Sequence, residues 1–370
     1  MTPERNSPPS GGSETSDPPA LAGYSRERRA GGWRNTAAMV AEDKGVPMTD
    51  TTLARPPFDP ELEAALALVG DQLPSTLTPE MIPLMRQSPV SGDQEIFTVL
   101  DDRGFTRRDV TIAGYDGGEI VLSVIEKEGR TGTGPGFFHT HGGGMIIGNR
   151  WLGVVGFLDW AERYDGVIVT VEYRLAPEFP DPYPVEDCYA GLLWTAEHAE
   201  ELGIDLSRLL IGGGSAGGGL AAGTALLARD RKGPELIGQL LIYPMLDDRD
   251  ESVSTRQIDG IGVWDRGSNV TGWTALLGDR KGTDDVSIYA APARATDLSG
   301  LPPAFIDCGS AEVFRDEDVA YATKLWEAGV QAELHVWAGG FHGFDMFAPH
   351  AAVAQAMLAA RDNWVHRLLS

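Results

Sequence analysis

Apolar positions along the 370-residue chain follow two rhythms, one near 3.6 residues and one of about two, and the switches between them outline the elements. From Phe58 the run FDPELEAALALVG sets Leu62, Ala65, Leu66 and Leu68 at helical spacing behind Asp59 and Pro60, which suit an N-cap and a first helical turn. A helix is expected to start there. After the polar stretch 91–94, alternating segments at 107–112 and 119–125 flank Asp116-Gly117-Gly118, which predicts an antiparallel hairpin opening a sheet. Short apolar runs then recur at 136–140, 167–171, 209–212, 237–243, 304–308 and 332–337, with helical patterns between them, notably at 189–201, 216–229, 317–328 and 351–369. Such alternation predicts an α/β fold, with a mostly parallel central sheet and helices on both faces.

One long gap, 246–301, breaks the alternation. It carries Trp264, Asn269, Trp273 and Leu277 at helix-like intervals, so it reads as an inserted helical segment rather than a bare loop. With the helix near residue 60 it is expected to roof the C-terminal edge of the sheet, giving a helical cap from about 57–95 and 247–300. Residues 1–47 are rich in Pro, Gly, Ser and charge and lack hydrophobic periodicity, so they are expected to form a disordered tail before a folded domain at 48–370. Translation from Met1, Met39 or Met48 stays open, and no internal repeat is visible.

Composition narrows the partners. A formal net charge of −24 repels phosphate backbones and anionic lipid surfaces, which argues against nucleic-acid and membrane partners. Cys188 and Cys308 lack the spacing of a disulfide framework or zinc ribbon and read as buried small hydrophobes. No stretch approaches a membrane span and the N-terminus lacks the apolar core of a signal peptide, so the cytoplasm is the expected location. Oligomeric state stays open, a homodimer included.

The chemistry is carried by three runs. Gly213-Gly214-Ser215-Ala216-Gly217 follows an apolar strand and precedes a helix of Ala and Leu, which is the strand-turn-helix setting in which GxSxG lifts a serine hydroxyl above a sheet. Ser215 is the expected nucleophile. His141-Gly142-Gly143-Gly144 ends an earlier strand, where consecutive glycines let backbone amides approach a ligand; Gly143, Gly144 and Ala216 are the expected oxyanion donors. His139 and His141 also form an HxH pair, but no following Asp or third His completes a metal site, so no metal or other cofactor is expected. Of the seven histidines, His342 lies on a loop just past the last strand, in GGFHGF; His198, His335, His350 and His366 lie in or beside regular elements and read as surface or core filler. The orienting acid must come after the strand PPAFIDCG, among Glu312, Asp316, Glu317 and Asp318. Glu312 is nearest the strand end, whereas Asp316 to Asp318 read as a solvated helix N-terminus.

With HGGG, GxSAGG, the acidic loop and the HGF run in this order, the chain resembles the hormone-sensitive-lipase family of bacterial carboxylesterases. The resemblance runs from about Pro57 to the C-terminus and includes Tyr173-Arg174-Leu175-Ala176-Pro177-Glu178. It implies an α/β-hydrolase fold and a serine carboxylesterase acting on short- to medium-chain esters through an acyl-enzyme, with Glu312 aligned at the catalytic acid. Two positions depart from the family pattern: Gly214 stands where Asp or Thr is usual, and Glu312 where Asp is usual. An amidase or drug-ester hydrolase using the same triad is the alternative. A non-enzymatic receptor on this fold would have lost its base, so His342 argues against that class.

Overall fold

The computed structural model describes residues 53–70, 74–87 and 93–370. The tail expected at 1–47 lies outside them, as do residues 71–73 and 88–92 of the expected cap.

The strands are β1 (Phe105–Ala113), β2 (Glu119–Lys127), β3 (Gly134–Thr140), β4 (Val167–Glu172), β5 (Ile204–Gly214), β6 (Gly238–Ile242), β7 (Ala304–Gly309) and β8 (Ala332–Trp337). The helices are α1 (Pro60–Val69), α2 (Ile82–Met85), α3 (Asp93–Asp102), α4 (Val155–Tyr164), α5 (Tyr183–Glu197), α6 (Ala199–Leu202), α7 (Ala216–Arg231), α8 (Val253–Gln257), α9 (Arg266–Leu277), α10 (Arg315–Glu327), α11 (Phe344–Phe347) and α12 (Ala352–Leu369). Among the described residues the strands form one sheet in the order β1-β2-β4-β3-β5-β6-β7-β8. The hairpin pairs antiparallel from Phe105↔Lys127 to Ala113↔Glu119, and β2 also runs antiparallel to β4. From β4 to β8 every pair is parallel.

Strands covered on both faces read as continuous apolar runs, and successive residues feed opposite cores. Phe137 of β3 and Leu210 of β5 join Phe157, Trp160 and Trp364 on the side of α4 and α12. Their neighbours Phe138 and Ile211 join Leu192, Leu226 and Tyr321 on the side of α5, α7 and α10. This arrangement leaves the C-terminal strand ends, where β5 meets α7, for the site.

Helices α3 and α4 do not figure in the sequence reading. The first is rich in acid and amide side chains, whereas the second buries Phe157, Leu158, Trp160 and Ala161 on one face and leaves Asp159, Glu162 and Arg163 exposed on the other. Helix α5 also starts earlier than its apolar pattern, at a turn that accommodates Pro184.

The 246–301 gap contains α8 and α9, capped by Ser252 and Asp265. Asp265 also accepts from Thr76 Oγ1 at 2.6 Å, and Ser268 Oγ accepts from Leu77 N at 2.8 Å. The stretch before the sheet and the insertion within it are thereby joined. Helix α1 is capped by Asp59, whose own amide donates to Gly339 O at 3.1 Å, and Phe58 meets Phe341 edge-on with centroids 5.9 Å apart. Helix α1 therefore lies beside the loop that carries His342, and the insertion reaches the glycine loop, since a Cβ on Gly144 would lie 2.2 Å from the Trp264 ring.

Candidate active site

At the β5–α7 turn Ser215 adopts φ 59° and ψ −125°, a region that a non-glycine residue enters only when its surroundings fix it. Those surroundings are hydrogen bonds: Ser215 N donates to Ile242 O at 2.9 Å, and Ser215 O accepts from Met245 N at 3.0 Å. A glycine is required two residues on, because a Cβ on Gly217 would lie 2.1 Å from Thr140 O. Gly214, where the family pattern has a larger residue, faces the Tyr243 ring; a Cβ there would lie 3.3 Å from it. The turn is backed by an aromatic from the end of β6.

His342 follows β8 on the expected loop. Ser215 Oγ donates to His342 Nε2 across 2.9 Å, and His342 Nδ1 donates to Glu312 Oε1 across 2.9 Å. The second Glu312 oxygen accepts from Gly309 N at 2.7 Å, which fixes the carboxylate from behind. Glu312 is fully buried, while Ser215 and His342 are each 8% exposed. Tyr243 and Phe314 meet the imidazole edge-on, with centroids at 4.8 and 5.1 Å. Electrostatic interactions in so enclosed a place are stronger than in water.

The glycine loop crosses beside this chain of bonds. A Cβ on Gly142 would lie 3.4 Å from the Ser215 Cβ, which places the loop against Ser215. Gly143 has φ 111°, and a Cβ there would lie 2.1 Å from Ile147 O, so the turn admits only glycine. Ala216 opens α7, where backbone amides and the helix dipole favour developing negative charge. His141 braces the loop: its Nδ1 donates to Gly142 O at 2.8 Å, and its ring stacks on Tyr173, whose hydroxyl donates to His141 O. His139 turns instead to Thr170 Oγ1 at 2.8 Å, and burial holds its imidazole down to about 3. Among the described residues no group of three or more His, Cys, Asp and Glu side chains is arranged to hold a metal ion. His335 bonds Glu333, His198 bonds Trp194 O, and His366 bonds the Tyr164 hydroxyl.

The acidic run after Glu312 requires a correction. It is not a solvated helix start: Glu317 is 6% exposed and Asp318 is fully buried. Asp316 accepts from Ser254 N at 2.8 Å, and Glu317 Oε1 accepts from Leu246 N at 2.7 Å and Asp247 N at 3.1 Å. The insertion lies over the first turn of α10 and excludes water, which the local acidic pattern does not reveal. Burial pushes the Glu317 and Asp318 carboxyls well above the usual carboxylate range, and the nearby Glu312 adds to the effect on Asp318.

Two supports have no counterpart in the sequence reading. Tyr243 packs against both Gly214 and His342. Arg361, buried on α12, reaches Asp307 of β7 at 2.8 Å and Asp345 of α11, three residues past His342, at 2.6 Å. The available signal for the second was an Arg at position 361, at helical intervals from the apolar Ala354, Met357 and Trp364 of the last helix.

A mostly parallel sheet with a serine turn after β5, a late acid loop and a histidine loop after β8 is the α/β-hydrolase fold. A family model described as the α/β-hydrolase fold matches residues 137–346. Carboxylesterase NlhH of Mycobacterium tuberculosis is 34% identical over 339 residues, covering 86% of this chain and 100% of its own. Among solved structures, a bacterial heroin esterase superposes with a TM-score of 0.77 at 40% identity, covering 85% of this chain and 98% of its own. Esterase LipW from Mycobacterium marinum gives a TM-score of 0.74 at 31% identity, with coverages of 85% and 98%. The chain belongs to the α/β-hydrolase carboxylesterase family.

Proposed function

We propose that this protein is a serine carboxylesterase that cleaves short- to medium-chain carboxylic esters through an acyl-enzyme, with Ser215, His342 and Glu312 as its triad. The observation that carries the reading is the unbroken path from Ser215 Oγ through His342 to Glu312, two bonds of 2.9 Å in a nearly closed site. Ser215 Oγ attacks the ester carbonyl as His342 Nε2 takes its proton, and Glu312 holds the imidazolium that forms. The amides of Gly143, Gly144 and Ala216 receive the oxyanion, where loss of one such donor typically lowers turnover by about 10²–10³. His342 then gives its proton to the leaving alkoxide. Water, deprotonated by the same imidazole, releases the acid and restores Ser215.

The cap reading at 57–95 and 247–300 is supported by the bonds joining Thr76 and Leu77 to Asp265 and Ser268. The amidase alternative is not favoured, since the relatives above are named as esterases, whereas cleavage of drug esters with the same triad falls within the esterase reading, one of those relatives being a heroin esterase. Among the described residues no helix is long and apolar enough to cross a membrane. The cytoplasm is the location we propose, with Cys188 and Cys308 both free and buried. Light scattering on the purified chain tests whether it forms a homodimer.

Hydrolysis of aryl esters graded from acetate to palmitate, with and without a serine-directed phosphonate, tests the function. Turnover should be highest for the shorter acyl groups and abolished by the phosphonate. Absence of ester cleavage, or cleavage that survives the phosphonate, would contradict the proposal.

A further inference from the structure

The loop 258–265 is closed on itself. Arg266 N donates to Ile258 O at 2.8 Å, and Gly260 N donates to Asp265 Oδ2 at 2.8 Å. The fully buried Asp265 carboxylate takes three more bonds, from Thr76 Oγ1, Ser268 N and Ser268 Oγ. A carboxylate removed from water needs such donors to offset its lost hydration, and with all four in place it pins the loop firmly. The pin fixes the residue just before it, Trp264.

The apolar side chains of the loop divide between two sides of the site. Val263 packs against the cluster that contains Phe58, Tyr243 and Phe341, on the side of His342. Trp264 belongs to the cluster with Met145, Met245 and Trp273, on the side of the glycine loop. A Cβ on Gly144 would lie 2.2 Å from one carbon of the Trp264 benzo ring and 2.7 Å from a second. The indole edge thus occupies the space beside Gly144. From behind, α9 supports the ring: a Cβ on Gly272 would lie 3.5 Å from it and 3.0 Å from Gly144 O.

The reaction geometry says which half of the substrate meets this wall. The leaving alkoxide must face His342 Nε2, which protonates it, and the oxyanion must face the amides of the glycine loop and Ala216. The acyl group takes the direction left over, away from His342 and along the loop that Trp264 backs. We infer that Trp264 closes the end of the acyl pocket and sets the acyl length this enzyme accepts. The inference rests on the roles proposed above for Ser215 and His342.

The test compares kcat/KM of the full chain, Trp264→Ala and Trp264→Phe on two ester series, one varying the acyl group from acetate to decanoate and one holding acetate while the alcohol lengthens. Because each methylene admitted to an apolar pocket is worth roughly tenfold or more in selectivity, the octanoate-to-acetate ratio should rise by at least about tenfold in Trp264→Ala. It should rise by a smaller factor in Trp264→Phe, which keeps an aromatic under the loop, and the alcohol series should change little. If Trp264→Ala does not fold, Trp264→Phe decides. An unchanged acyl ratio in a folded variant, or a shift confined to the alcohol series, overturns the inference alone. A wild-type protein that cleaves no ester overturns the esterase reading and the inference with it.

Discussion

Glu312 and Asp318 sit close together in sequence, both with no solvent exposure, yet they occupy opposite situations. Both Glu312 oxygens are engaged, by His342 Nδ1 and Gly309 N. Neither Asp318 oxygen accepts from a nitrogen or oxygen donor. Burial of a carboxylate is unfavourable unless donors replace its water, so the first is equipped to face a cation and the second is driven toward its protonated form. Burial and charge alone therefore do not mark a working acid in this segment; the donors do.

The largest expected effect comes from removing the charge of the engaged acid. Glu312→Gln should lower kcat by about 10⁴, or about 5 kcal/mol of barrier, because the imidazole loses its orienting anion. Its melting temperature should barely move. A variant that keeps most of its turnover would move the orienting role away from Glu312.

Asp318→Asn should do the reverse, leaving kcat near wild type and changing stability with pH. The folded-state pKa of Asp318 is raised, so its burial is tolerated at low pH and opposes folding increasingly as pH climbs above the unfolded carboxyl value. Wild type should lose about 1.4 kcal/mol per pH unit from this group between the unfolded and folded values, whereas the amide does not titrate. The melting temperature of the variant relative to wild type should therefore rise from pH 5 to pH 9. A difference that stays flat with pH would show Asp318 to be ionised in the folded protein.

The smallest effect belongs to Asp316, which holds Ser254 N and its neighbour Arg315. Asp316→Asn should cost about 0.5–2 kcal/mol of stability, comparable to the loss of a capping carboxylate, with turnover retained. A crippled but stable Asp316→Asn would contradict the contrast drawn here.

Much of this arrangement is legible in the sequence where pattern and position coincide. Strand β8 has the bounds that its apolar run predicts, and the hairpin and α7 fall where turn chemistry and small residues place them. Ser215, His342 and Glu312 could be nominated together because each stands at a strand end in the chain order this fold uses, and the structure brings them within hydrogen-bond reach. What escaped depends on contacts distant in sequence. The acidic start of α10 looks solvated because its cover, Leu246, Asp247 and Ser254, lies some 60–70 residues away. Tyr243 and Arg361 are unremarkable in their own segments and gain a role only when β6 and α12 are laid against the His342 loop. Helix α4 is an exception: Phe157, Leu158, Trp160 and Ala161 are spaced to form one buried face, so its pattern is legible in the sequence.

That Ser215 forms the covalent intermediate is tested most directly by peptide mapping by mass spectrometry after treatment with an aryl phosphonate. The adduct should appear on the peptide containing Ser215, in step with loss of ester hydrolysis, and Ser215→Ala should neither label nor turn over while melting as wild type does. An adduct on another residue, or hydrolysis persisting in folded Ser215→Ala, would contradict the claim.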